Sequence, residues 1–304
     1  EDNGILHGSL NQCNTTTHRL SSTGKKYKVQ FQNFDRLFKV IFAARNKDWL
    51  MGEIDGAQLE FRVAGDLGED ARIISDIRDG VDVHSFTAHT LTEAGQATER
   101  QGAKSHTFKP LYGGQSGTDA EQAYYAAFRE KYPGITKAQE RWIEEVLRNG
   151  FLITKYGMRF YWPDTHMKAS GYVTNRESIC NYPVQGFATA EIIPIAVTYQ
   201  WHRMKAANME SFLVNTIHDS SIAEINPKEI ELYKEIGVQA YTTDVYKYLQ
   251  EVYHIQFIAP LGVEIKLSPH WSDSSEIKAG LGFEEKFESD PIVGEKIWDK
   301  QQVS

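Results

Sequence analysis

Two aspartates carry the clearest chemical signal in this chain. Asp55 closes the apolar run Trp49-Leu50-Met51-Gly52-Glu53-Ile54, and Asp219 lies in LVNTIHDSSIAEI, which reads as strand, tight turn, strand. If those strands are neighbours, the carboxylates come within about 5 Å of each other. That is close enough to share two Mg²⁺ ions roughly 3.5–4 Å apart, the equipment of phosphoryl transfer. An Asp at a strand end is by itself more often a turn former, so the reading depends on what lies between the two.

Between them stands RQGAKSHTFKPLYGG, in which Arg100, Lys104, Phe108 and Tyr112 recur every fourth residue. On one helix these four share a broad face along roughly 18 Å of axis. Two cations followed by two rings match a nucleoside triphosphate, with phosphates at one end and a flat base at the other. The plainer alternative is an amphipathic helix with its rings in the core and its cations in solvent.

With these segments in order, the chain resembles the polymerase core of the family A DNA polymerases. DGAQLEFR from Asp55 resembles motif A, the Arg100–Gly113 segment motif B, and IHDS at Ile217–Ser220 motif C. TTHRLSST from Thr16, DVHSFTAH around His84, NYPVQGFATAEI around Asn181 and Gln185, Trp162-Pro163-Asp164, and IAPLGVEIKLSPHW are similar to further family segments. The likeness runs from about Gly4 to Ser272. It implies an α+β fold, a palm of antiparallel sheet and helices with helical fingers and no thumb in this chain.

The resemblance also implies roles. Asp55 and Asp219 would hold two Mg²⁺ ions, for which Mn²⁺ can substitute, with a backbone carbonyl of Ile54 or Gly56 assisting. Arg100, Lys104 and His84 would clamp the triphosphate, Lys104 giving a proton to the pyrophosphate. Phe108 would stack at sugar and base, Tyr112 would guard the insertion site, and Gln58 would contact the nucleotide. Glu60 would be a steric gate against a ribose hydroxyl. Arg19, Asn33, Asn181, Gln185 and His218 would contact primer and template, reading geometry through the minor groove. The expected partners are primer–template DNA and dNTPs.

Several positions depart from the family pattern. Ser220 stands where motif C has a second acid, a feature of single-subunit RNA polymerases, although Glu60 argues against ribonucleotide use. Lys109-Pro110 follows Phe108 where glycine is usual. Proline lacks an amide hydrogen and clashes with the carbonyl of His106, so the helix should bend before Tyr112. Arg176 lies one position from the family's primer-binding arginine, and Glu177 occupies that place. A phosphohydrolase using His218-Asp219 would need more histidines at suitable spacing. A non-catalytic accessory subunit would be expected to lose Asp55, Lys104 or Asp219, and all three are present.

Composition fits a globular enzyme: 304 residues, 41% hydrophobic and 12% aromatic. The net charge of −8 argues against a strong grip on DNA, with the compensating cations local: Lys25, Lys26 and Lys28, then Arg100, Lys104 and Lys109. No apolar run is long enough for a membrane span. Two cysteines, Cys13 and Cys180, suggest a reducing compartment, and a cytoplasmic setting in a bacterial or phage-infected cell, or an organelle, is expected. The expected division is palm over 1–66, fingers over 67–160, palm again over 161–275 and a tail over 276–304. A thumb or exonuclease segment is expected on another chain or in a removed N-terminal part.

Overall fold

The computed structural model describes residues 4–12, 14–23, 30–34, 36–271, 283–292 and 296–299. Cys13, Lys25, Lys26 and Lys28 lie outside the described residues. Strands β1 (Ser9–Asn11) and β2 (Ser21–Thr23) precede α1 (Arg36–Lys39), β3 (Leu50–Gly56) and α2 (Leu59–Leu67). Helices α3 (Ala71–Arg78), α4 (Val83–Glu93), α5 (Arg100–Thr107), α6 (Asp119–Lys131) and α7 (Pro133–Asn149) follow. Strands β4 (Phe151–Ile153) and β5 (Arg159–Tyr161) then lead to α8 (Arg176–Gln185) and α9 (Ile193–Ala206). The rest comprises β6 (Phe212–Ile217), β7 (Ser220–Ile225), α10 (Ile230–Tyr241), α11 (Thr243–Val252), β8 (Leu261–Ser268), β9 (Phe283–Ser289) and β10 (Lys296–Asp299).

The chain divides into two compact units. The first, residues 1–59, 186–257 and 261–304, is built on a six-stranded antiparallel sheet of order β10-β9-β8-β3-β7-β6. Strand β3 lies between β8 and β7; its odd positions put Met51, Glu53 and Asp55 on one face, while Ile54 on the other is fully buried. That other face packs on α10 so closely that a Cβ on Gly237 would lie 2.3 Å from Ile54 Cδ1. Glycine is therefore required there for the helix to approach the strand. On the near face, Met51, Ile217, Ile222 and Trp271 form a buried cluster joined by Phe42.

The second unit, residues 60–185 and 258–260, is mainly helical. Pro133 starts α7 and Gly150, in the left-handed region at φ 76°, ends it, as the sequence pattern suggests. The unit does not stop near residue 160, where the expected fingers end. Leu152, Phe160, Trp162, Val173, Ile179 and Cys180 form one core with Ile143 and Val146 of α7, which binds β4, β5 and α8 to the helices before them.

One further expectation is corrected. Residues 283–289, expected as part of a tail, form β9 along β8, with Phe287 buried. After Gln185 the backbone stays helical, first as a π-helical stretch, Gly186–Ile192, and then as α9, with Ile192 at φ −60° and ψ −47° and Pro194 in the first turn of α9.

Candidate active site

Asp55 is the penultimate residue of β3 and pairs in register with Ser220, the first residue of β7. Ile217 pairs with Ser220, so His218 and Asp219 are a two-residue hairpin link. His218 takes a left-handed conformation at φ 56°, which turns the chain and leaves Asp219 beside the end of β3. The Gly56 amide donates to the Asp219 carbonyl at 3.1 Å and fixes that juxtaposition. The structure thus brings the two sequence-predicted acids together at adjoining strand ends. Ile54 sits mid-sheet, in register with Ser221 on one side and Ile265 on the other, while Gly56 ends the strand. The Ser220 hydroxyl donates to the Ile217 carbonyl at 3.0 Å and so serves the turn.

Burial pushes the Asp55 carboxyl well above the ordinary aspartate range; Asp219 pushes it further, Lys266 opposes, and Glu53 and Glu264 add to the rise. Asp219 is likewise raised, first by burial, against its own backbone amide and Arg19. Two desolvated oxygen donors that each resist ionisation are a fitting seat for a hard divalent cation. Among the described residues no group of three or more His, Cys, Asp or Glu side chains forms a closed metal cage. Two carboxylates suffice for a metal that keeps waters and takes substrate phosphates as its remaining ligands.

Arg19 and His218 belong to the same unit: the Arg19 charge lowers Asp219, and burial, then Arg19 and Lys39, lowers the imidazole of His218. The Arg19 Nε is buried without a hydrogen-bond partner. Asn33 is exposed in a short 3₁₀ turn.

The remaining predicted residues lie in or at the helical unit. Gln58, exposed and left-handed at φ 47°, links β3 to α2, whose second residue is the half-buried Glu60. His84 Nδ1 lies 2.9 Å from Thr107 Oγ1, and its ring meets Phe108 edge-on at 5.6 Å between centroids. Burial lowers its basicity, Asp82 opposes, and Arg100 and Lys104 lower it further. Arg100 is hydrogen-bonded to Asp82, while Lys104 is exposed one turn on. Asn181 and Gln185 are half-buried on α8, and the Asn181 Oδ1 is a buried acceptor without a partner.

The expected continuous face from Arg100 to Tyr112 is corrected. Helix α5 ends at Thr107 with Phe108 as its C-cap, and the chain turns through Pro110: Lys109 N donates to the His106 carbonyl and Gly114 N to the Lys109 carbonyl. Pro110 stops the helix a turn earlier than expected, for the steric reason that predicted a bend. Phe108 and Tyr112 still meet, at 6.4 Å between ring centroids. Gly113, at φ 76°, lets the turn press on α8, where a Cβ would come 2.7 Å from Cys180 Sγ. Cys180 is a packing residue whose thiol burial pushes up to about 12.

Sequence reasoning missed Glu121, which anchors this turn. Its carboxylate takes the Lys109 ammonium at 2.6 Å, lies 2.8 Å from His106 Nδ1, and accepts the Thr118 amide at 2.9 Å in a capping box that opens α6. The Thr118-x-x-Glu121 spacing was the available signal. These bonds, Lys109 first, hold Glu121 at about 2, below its ordinary 4.5. A depressed carboxyl stabilises fully above its unfolded value and loses that contribution as pH falls through its folded one. Glu121→Gln is expected to cost about 2 kcal/mol at pH 7 and to flatten the acid limb of thermal stability between roughly pH 5 and 2. An unchanged acid limb in the variant would remove Glu121 from this role.

Fold and site together define an α+β architecture of palm and fingers type, a sheet that sets two half-buried carboxylates at adjoining strand ends and a separate helical unit. The family model for DNA polymerase family A matches residues 1–273. DNA polymerase I of Geobacillus stearothermophilus is 28% identical over 299 residues, covering 89% of this chain and 32% of that protein. The thermostable DNA polymerase I of Thermus aquaticus is 27% identical over 290 residues, covering 90% and 33%. In fold, the chain is similar to the POL domain of Pol1 from M. smegmatis, solved in complex with DNA primer-template and dNTP: TM-score 0.72, 21% identity, 89% of this chain and 49% of that one. The chain belongs to DNA polymerase family A. It spans about a third of the length of the curated relatives it matches.

Proposed function

We propose that this chain carries out template-directed DNA synthesis, adding dNTPs to a primer 3′-hydroxyl with release of pyrophosphate. The observation that carries this reading is the placement of Asp55 and Asp219 at adjoining ends of β3 and the β6–β7 hairpin. Asp55 and Asp219 hold two Mg²⁺ ions, or Mn²⁺ in their stead, with a backbone carbonyl at Gly56 or Ile54 assisting. When bound, the metals supply Lewis-acid chemistry, lowering the pKa of the attacking hydroxyl and stabilising the leaving pyrophosphate.

The helical unit supplies the nucleotide contacts. Arg100 and Lys104 bind phosphate oxygens, and Lys104 hands a proton to the leaving group. His84 joins them in clamping the triphosphate. Phe108 stacks at sugar and base, Tyr112 guards insertion, Gln58 contacts the nucleotide and Glu60 excludes the ribose hydroxyl. Arg19, Asn33, Asn181, Gln185 and His218 contact primer and template. The unpartnered Arg19 Nε and Asn181 Oδ1 support this, since buried polar atoms are rarely left unbonded. The share of its relatives that the chain spans supports a further duplex-gripping segment, on another chain or elsewhere in the same one.

The test is single-nucleotide primer extension with the chain in excess over primer–template, where a weak grip does not limit the reaction. Addition of the nucleotide complementary to the template, dependent on divalent metal, is expected. Incorporation indifferent to the template base would overturn the reading.

A further inference from the structure

The β3–β8 register places a charged pair immediately beneath the candidate metal site. Glu53 faces Lys266 directly, while Asp55 faces Glu264. Register partners share a face of the sheet, with Cβ atoms about 5 Å apart directly and roughly 7–8 Å on the diagonal. Lys266 is thus a direct neighbour of Glu53 and a diagonal neighbour of Asp55, within reach of its four-carbon stem. Glu53 is buried, and its carboxylate accepts the Trp271 indole N–H at 3.3 Å, which holds it in place. Glu264 is satisfied separately, by Lys286 at 2.6 Å. Glu53, Asp55, Glu264 and Glu284 all act on the Lys266 ammonium, which in turn acts on Asp219, as Arg19 does.

Resting on the metal reading above, we propose that Lys266 is a positioning residue for the metal site, a cation set opposite Glu53 in the β3–β8 register that governs how tightly Asp55 and Asp219 take divalent metal. In the metal-free chain the ammonium relieves repulsion among Asp55, Asp219 and Glu53. Toward an arriving dication it is a like charge in a desolvated place, where such interactions are weakly screened. The two effects oppose each other: the residue that stabilises the empty site loosens the filled one. A metal held this way leaves readily with pyrophosphate.

Mn²⁺ titration of the full chain, followed by electron paramagnetic resonance, together with thermal unfolding with and without Mn²⁺, tests this. Lys266→Met should tighten Mn²⁺ roughly tenfold and lower the metal-free melting temperature, with saturating Mn²⁺ recovering most of the loss. Glu53→Gln, which leaves the Lys266 charge opposed by one carboxylate fewer, should weaken Mn²⁺ by a similar factor, and Lys266→Arg should keep the unaltered affinity. A merely structural pair would weaken binding, or leave it unchanged, in both neutralised variants, and that result overturns the proposal. If Lys266→Met does not fold, the Glu53→Gln arm decides, with unchanged or tighter binding overturning it. Should the unaltered chain show no saturable Mn²⁺ binding that Asp219→Asn removes, the metal reading itself fails and takes this proposal with it. Metal binding that is lost in Asp219→Asn but indifferent to Lys266 and Glu53 overturns this proposal alone.

Discussion

On the metal reading proposed above, Asp55→Asn and Asp219→Asn are each expected to reduce nucleotide addition by at least about a thousandfold, since metal contributions of that kind are worth several kcal/mol of transition-state stabilisation. The fold should survive both changes. Each carboxyl is raised chiefly by burial, so ionising it at neutral pH opposes folding. For a raised acid the native state holds its proton longer, and stability declines as pH climbs from the unfolded value toward the folded one. A neutral amide of the same size relieves that opposition, so melting temperatures at pH 7 should hold or rise while extension disappears. Ser220→Ala should cost far less, because that hydroxyl is engaged with the Ile217 carbonyl. Near-normal extension by Asp219→Asn would remove the hairpin from the reaction.

The second large effect concerns sugar choice. Glu60 is the second residue of α2, five positions after Asp55, and in the role proposed for it its carboxylate stands against C2′ and leaves no room for a hydroxyl. Glu60→Ala is expected to raise the efficiency of ribonucleotide relative to deoxynucleotide incorporation by about a hundredfold, with some loss of deoxynucleotide incorporation. Competing incorporation of the two sugars opposite one template base measures this. An unaltered chain that already prefers ribonucleotides would favour the RNA-polymerase reading that Ser220 keeps in view.

The parts of the structure legible in the sequence are those governed by short-range patterns. LVNTIHDSSIAEI alternates and turns within a few residues, so the β6–β7 hairpin could be read directly, as could the α7 boundaries at Pro133 and Gly150. What the sequence concealed depends on distant partners. Phe283-Glu284-Glu285-Lys286-Phe287 looks like solvated tail until β8 is beside it. Lys266 and Glu53 look like solvent-facing strand residues until their register shows them beneath the aspartates. Glu121 acts through a turn whose shape was misjudged, because Pro110 was credited with bending a helix that in fact ends before it. The reach of the helical unit to Gln185 follows from the Trp162 and Cys180 core, which no local pattern announces.

Asp55 lies on a strand flanked by β7 on one side and β8 on the other. Interior strands are the last part of a sheet to open, because releasing them breaks hydrogen bonds along both borders. The Asp55 carboxylate therefore has no shallow route to disarray: neither fraying at an edge nor loosening of a loop displaces it. Heat inactivation of this centre should then coincide with the cooperative melting of the whole sheet, and a warmed sample should be a mixture of fully competent and wholly unfolded molecules.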